Sequence, residues 1–303
     1  MSKFQRSWLL MKSSLSVIGG NKSLLVFPVV TFACTVTIIT FFLAPPLLRP
    51  TGYPYLSGEH WQAISHSLFN NSGPNGQAGL TPGAMVYTGF LYFLSMFIAT
   101  FCNVAFYHEI LAALAGQPVS VARGLKFAFG KIWSVLMWSI FAGLIGLIIR
   151  IIEERLELVG RIVGRLLGLA WSIAAVFVIP VIVTEEQNSN PFTLLRKSAE
   201  MLKRTWGEAL IGYAGLAFAN TLIVLGSVVW LVGSVMVSVA VHNYWIIALS
   251  GFGWLVAICA WSYVVGVASN VYRGALYLYA AEGTVPAPYT QEMMDSAWKF
   301  KKS

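Results

Sequence analysis

Long apolar stretches separated by short polar clusters set the pattern of this chain. Six of them, approximately 24–44, 84–107, 132–150, 166–183, 209–239 and 245–268, reach the roughly 17 to 25 residues that a helix needs to cross a bilayer. The fifth is over-long, which predicts tilt or an end before "SVAVHN". The sixth runs on without proline through "NVYRGALYLYAAEG", so its helix is expected to extend past the membrane. A different pattern fills "NPFTLLRKSAEMLKRTWGEAL". There Leu194, Leu195, Ser198, Met201, Leu202, Trp206 and Ala209 recur at helical spacing, and Arg196, Lys197, Glu200, Lys203, Arg204 and Glu208 take the remaining positions. Asn190 followed by Pro191 is a helix start: the Asn side chain accepts from free backbone N–H groups, and proline at the first helical position loses no bond.

Two other basic, amphipathic stretches precede odd-numbered spans. Residues 3–22 place Phe4, Trp8, Met11, Leu15 and Ile18 on one face, opposite Lys3, Arg6 and Lys12; "SVARGLKFAFGKIW" occupies 120–133. An Arg precedes a Trp by ten residues in both later stretches, Arg123 to Trp133 and Arg196 to Trp206. Three copies of one unit would give this rhythm: basic interfacial helix, span, outer turn, span. Shared topology is the alternative source. The longest connection, 45–83, is rich in proline, glycine and asparagine, which marks turns, with a short helix over "SGEHWQAISHSLF" capped by Ser57.

Composition turns these spans into a class. Hydrophobic residues make up 57% and charged residues 11%, with a mean hydropathy of +0.71; a globular domain carries roughly 25% charged residues. The fold class expected is all-α: a polytopic membrane protein of six transmembrane helices with amphipathic interfacial helices, forming one integral domain over 1–303 with a tail at 281–303. The net charge of +8 lies beside apolar spans, where it sets topology and meets anionic lipid, and nucleic acid is not implied. With the N-terminus inside, 15 Lys and Arg fall on inner segments and 5 on outer ones, so both termini are expected in the cytoplasm of a cell with this protein in its inner membrane. The outer cluster, Arg150 to Arg165, is offset by Glu153, Glu154 and Glu157 and reads as an amphipathic hairpin. Cys34, Cys102 and Cys259 lie in apolar runs and read as small apolar residues.

The lipid-facing candidates are Arg123, Lys126, Lys131, Arg196, Lys197, Lys203, Arg204 and Trp206: the apolar face enters the headgroup boundary and the cations meet anionic lipid, each worth about 1 kcal/mol. A docking surface for a cytoplasmic partner is the alternative. Gly160, Gly164, Gly168 and Ser172 recur every four residues, and Gly212, Ala219, Gly226 and Gly233 every seven. Small residues on one face let helices approach closely. The first set is expected to pack within the chain, against Ser139 and Gly143, or to form a homodimer seam; the second to pack against a neighbouring helix or to line a substrate path. Asn103 and Asn220 with Thr221 lie within spans, His108 and Glu109 at the inner end of the second, and Asn270 and Arg273 at the inner end of the sixth; they pair with neighbouring helices, or Asn103, His108, Glu109 and Asn220 line an inner polar pocket.

Nothing names a reaction. G-x-S-x-G, P-loop, G-x-G-x-x-G and H-E-x-x-H are all missing, and His60 and His66 are six apart, off one helical face. No cofactor or metal site is expected. The function expected is therefore non-enzymatic: a membrane scaffold or accessory protein engaging anionic lipid. A transporter or channel for a small or amphipathic solute is the rival. "FQRSW", "NKSLLVFPVV", the 190–216 stretch and "VYRGALYLYAAEGTVP" resemble an uncharacterised prokaryotic multi-pass family of unknown function. More distantly, the layout is similar to the membrane domain of some bacterial glycerophosphodiester phosphodiesterases. The resemblance implies a six-helix membrane domain and carries over no activity, since the soluble phosphodiesterase part has no counterpart here.

Overall fold

A helix of 39 residues is about 58 Å long, nearly twice the roughly 30 Å hydrocarbon core of a bilayer. The computed structural model of this chain contains one, α11 (Tyr244–Glu282), as the uninterrupted sequence predicts. The structure describes the backbone of residues 3–70, 79–155, 157–186, 190–204 and 206–295; the side chains of 3–7, 70, 154–161, 204–220, 222–223 and 295 lie outside that description. In chain order the helices before α11 are α1 (Lys3–Gly20), α2 (Val26–Leu47), α3 (Gly58–Leu68), α4 (Pro82–Leu114), α5 (Val121–Gly130), α6 (Ile132–Arg155), α7 (Glu157–Ala174), α8 (Val178–Thr184), α9 (Pro191–Arg204) and α10 (Trp206–Val241). The short α12 (Gln291–Asp295) follows α11. A two-residue antiparallel ladder, β1 (Phe69–Asn70) with β2 (Gly79–Leu80), sits after α3; nothing in the alternation of the sequence announced it.

The fold is all-α, and six helical segments are long and apolar enough to cross a membrane: Lys22–Leu47, Pro82–Leu114, Ile132–Glu153, Ile162–Thr184, Val224–Val241 and Tyr244–Glu282. Each overlaps an expected span. The caps appear where the sequence put them: Ser57 accepts from the His60 N–H at 3.2 Å, and Asn190 Oδ1 from the Phe192 N–H at 3.0 Å.

The core gathers at one end of the bundle, the end carrying α1, α5 and α9, called here the basic end. Fully buried side chains cluster from Val104 to Leu114 on α4, from Phe177 to Ile182 around α8, and from Val265 to Tyr277 on α11. At the far end α10 and α11 stand as a hairpin, joined by Trp230 Nε1 donating to Ser250 Oγ at 3.0 Å and otherwise widely exposed.

Amphipathic helices need a partner for the apolar face, and here the partner is protein. Leu194, Ser198 and Leu202 of α9 are buried against the bundle, as are Met11, Ser14 and Ile18 of α1. This corrects the expectation that these faces enter the lipid boundary. Each basic helix leans on the ends of the spans: α5 on α4, α9 on α7 and α8, and α1 on both α10 and α11. Each sets a small residue at its deep contact. A Cβ added at Gly124 of α5 would lie 2.7 Å from the Ala105 carbonyl oxygen, so only glycine lets α5 come that close. Ser14 Oγ is 2.7 Å from the Tyr289 hydroxyl, which ties α1 to the segment after α11. Burial pushes the Tyr289 phenol well above its ordinary pKa, and the bond from Ser14 offsets only part of this. Gly283 ends α11 with φ +69, the left-handed cap that favours glycine. The chain then folds back onto α1, with Met294 buried, so the expected tail is partly docked.

The fourth span is broken. α7 stops at Ala174 and α8 begins at Val178, which strands backbone groups within an apolar segment. Such groups are tolerated in a membrane only where protein satisfies them. Ser198 does so from α9: its hydroxyl donates to the Ala174 carbonyl at 2.6 Å and accepts from the Phe177 N–H at 3.0 Å.

The glycine stripes divide. Gly164 faces Glu153 of α6, as close packing predicts, and Gly168 has only Ile149 near it. The third-span partners differ from expectation, because Gly143 meets the ring of Phe93 on α4 and Ser139 donates to its own Val135 carbonyl at 2.7 Å. Ser172 is exposed and donates back to the Gly168 carbonyl at 2.8 Å. A Cβ added at Gly226 or Gly233 would meet nothing within 4 Å, so the seven-residue stripe faces no described helix of this chain there. Gly160, Gly212 and Ala219 have surroundings outside the described residues.

Ser198→Ala removes the hydroxyl that serves both sides of the break and should cost about 2 kcal/mol. The exposed Thr193→Ala on the same helix should stay within about 0.5 kcal/mol. Thermal unfolding of both variants in one detergent compares them.

Candidate functional site

α4 carries a carboxylate, Glu109, into the packed basic end, where its side chain is 0% exposed. A buried charge requires a counter-charge and a full set of donors. α4 ends at Leu114, Gly116 turns the chain with φ +76, and Ser120 caps α5 by accepting from the Arg123 N–H at 3.4 Å. That turn returns Arg123 to Glu109 in a bidentate pair, Nε to Oε1 at 2.8 Å and Nη2 to Oε2 at 2.6 Å. The Ser120 N–H donates to Oε2 at 2.7 Å, and His108 Nδ1 lies 3.0 Å from Oε1. Arg123 Nη2 also donates to the Pro118 carbonyl at 2.8 Å. Hydrogen bonding to Glu109 raises the Arg123 pKa above its already high ordinary value. The His108 ring stacks on Phe127 with centroids 4.0 Å apart.

Beside this clamp lies an open groove of about 750 Å³ lined by His108, Arg123, Lys126, Phe127, Gly130, Lys131 and Glu186. Lys131 Nζ crosses to the segment after α8, donating to the Glu185 carbonyl and, at 3.4 Å, to that of Glu186. Carbonyls are neutral, so these contacts leave the positive charge of Lys131 uncancelled. Lys197 pairs with the Glu185 carboxylate. Arg196 and Glu200 form an exposed i,i+4 pair at 2.9 Å, of the kind worth a few tenths of a kcal/mol.

The cations expected at lipid headgroups therefore separate into two groups. Arg123, Lys131, Arg196 and Lys197 grip this chain's own carboxylates and carbonyls. Lys126 and Lys203 are exposed and have no ion pair among the described residues. The side chains of Arg204 and Trp206 lie outside the described residues. Of the expected polar pocket, His108 and Glu109 come together, with Glu109 fully committed to Arg123 and Ser120. Asn103 is half-buried and does not line the groove, and Asn220 lies outside the described side chains. Asn270 of α11 accepts from the Tyr107 hydroxyl at 2.9 Å. His60 is buried with Nδ1 2.6 Å from Thr51 Oγ1. Among the described residues no three His, Cys, Asp or Glu side chains come together to hold a metal.

The functional role that sequence reasoning missed is that of Ser198. Periodicity places it in the apolar stripe of α9, yet a serine at the centre of such a stripe is itself a sign of a buried acceptor and donor waiting across the interface.

These observations define a polytopic α-helical membrane protein with a tightly clamped basic end. The chain belongs to the DUF6159 family, a family of unknown function, whose model matches residues 83–287, about two thirds of the chain. No curated protein and no solved structure matches it, and the distant likeness to phosphodiesterase membrane domains gains no support.

Arg123→Gln leaves the buried Glu109 short of its counter-charge and should lower stability by about 3 kcal/mol. Arg123→Lys should fall between, since an ammonium cannot make the bidentate pair. Lys126→Gln should stay within about 0.5 kcal/mol. Denaturant or thermal unfolding in detergent ranks the three.

Proposed function

We propose that this protein is a non-enzymatic membrane scaffold or accessory protein whose basic end engages anionic lipid on the cytoplasmic side of a bacterial inner membrane. The observation that carries this reading is the groove beside the Glu109–Arg123 clamp, where Lys126 and Lys131 present positive charges at the edge of the apolar spans. A phosphate or a carboxylate on a lipid headgroup complements that arrangement, and each cation near a charged surface contributes about 1 kcal/mol. The surplus of Lys and Arg on the segments at this end supports its cytoplasmic placement. A rigid, clamped platform also suits a protein that holds a partner or a lipid rather than one that turns over a substrate.

One observation favours a second reading. Broken spans occur in secondary transporters, where freed helix ends coordinate a solute. In this chain Ser198 occupies the freed groups on both sides of the break, which leaves them unavailable to a solute and favours the scaffold.

Native mass spectrometry of the protein in neutral detergent, titrated with phosphatidylglycerol or phosphatidylcholine, tests the reading. The wild type should retain phosphatidylglycerol preferentially, and Lys126→Gln should weaken that binding about fivefold while leaving phosphatidylcholine unchanged. Equal retention of the two lipids by the wild type, or accumulation of a solute by proteoliposomes, would count against the scaffold.

A further inference from the structure

A recess of about 430 Å³ lies between α7 and α9, separate from the basic groove. Among the described residues its lining is apolar apart from Lys203. Three lining residues, Ala170, Ala174 and Ala199, are short, and their size leaves space between two helices that are otherwise in contact. Leu166 and Leu169, on the same lining, are 61% and 58% exposed, so the recess opens sideways to the surroundings of the spans rather than into the core. Lys203 is exposed and has no ion pair among the described residues.

The recess is held in shape by the break in the fourth span. Ser198 precedes Ala199 and bonds to both Ala174 and Phe177. α9 cannot move away from α7 without stranding those backbone groups in an apolar setting, which is costly. Ordinary lipid around a smooth helix is exchanged freely. A fixed recess with one cation at its edge instead selects a molecule that is apolar along its length and negative at one end.

We infer that the α7–α9 recess is a seat for one acyl chain of an anionic phospholipid, with the lipid phosphate on Lys203. The inference rests on the reading that the basic end engages anionic lipid, but it uses a different groove and a different lysine. Inside a bilayer the chain gains little from apolar contact alone, because lipid tails are as apolar as the recess. The preference for this site therefore comes from the fixed shape and from the charge of Lys203.

The experiment is photolabelling of the full chain in nanodiscs containing phosphatidylglycerol that carries a diazirine near the end of one acyl chain, followed by peptide mapping. Adducts should concentrate on residues 162–174 and 199–203. Lys203→Gln should lower that labelling about fivefold at limiting probe, with no change for the phosphatidylcholine analogue. Ala170→Trp fills the recess from an exposed position and should abolish the labelling. If that variant fails to fold, Lys203→Gln, which removes only an exposed charge, decides the result. Labelling spread evenly over α2, α10 and α11, or unchanged in Lys203→Gln, would overturn the seat. Lys126→Gln separates the two readings: it should leave this labelling intact. Loss of phosphatidylglycerol preference in Lys126→Gln with unchanged labelling in Lys203→Gln would keep the headgroup reading and overturn the seat, whereas no effect of either lysine would overturn both.

Discussion

A carboxylate with no exposed surface, placed where a membrane span leaves the apolar run, has few ways to remain. It must meet a cation and donors in good geometry, because an unpaired charge in such a place costs several kcal/mol. Glu109 meets Arg123 through two hydrogen bonds, and Ser120 and His108 complete its shell. The consequence is architectural. α5 is drawn onto α4 so closely that only glycine fits at position 124. From the end of α5, Lys131 then reaches the carbonyls after α8, and Glu185 in the same segment holds Lys197 of α9. The buried charge thus fixes α5 on α4, and Lys131 and Lys197 tie that pair and α9 to the segment after α8.

The same logic recurs with neutral groups. The broken fourth span needs a donor and an acceptor, and Ser198 supplies both from α9. α1, which has no earlier span to lean on, docks against α10 and α11, and Ser14 meets Tyr289 in the segment after α11. Each basic helix is therefore fixed by protein contacts at this end, α5 on α4, α9 on α7 and α8, and α1 on α10 and α11. The far end lacks such contacts. There α10 and α11 touch mainly each other, and lipid is the natural solvent for their exposed faces.

Most of the fold was legible because membrane spans announce themselves by length and hydropathy. The caps at Ser57 and Asn190, the long sixth helix and the amphipathic helices α1, α5 and α9 all follow from local pattern. What local pattern could not supply was the partner of each amphipathic face. Periodicity shows that Leu194, Ser198 and Leu202 share a face, but protein and lipid are equally apolar, so the same stripe fits either. The cations misled for a similar reason. A run of Lys and Arg beside a span reads as lipid-facing, whereas Arg123 and Lys197 are answered by Glu109 and Glu185, which are distant along the chain or behind a turn. The break at residues 175–177 is apolar throughout, and its signal lies downstream: Pro180 has no N–H for the Val176 carbonyl, which disfavours a continuous helix there.

The picture that results is of a membrane protein whose basic helices are part of its core and, among the described residues, present Lys12, Lys126 and Lys203 to whatever lies beyond. Amide hydrogen exchange of residues 193–204 in neutral detergent tests this most directly. If α9 is docked on protein, its amides are protected to a degree comparable with α4 in the absence of any anionic lipid, and adding phosphatidylglycerol changes that protection little. Rapid exchange in neutral detergent, with protection appearing only when anionic lipid is added, would contradict the account.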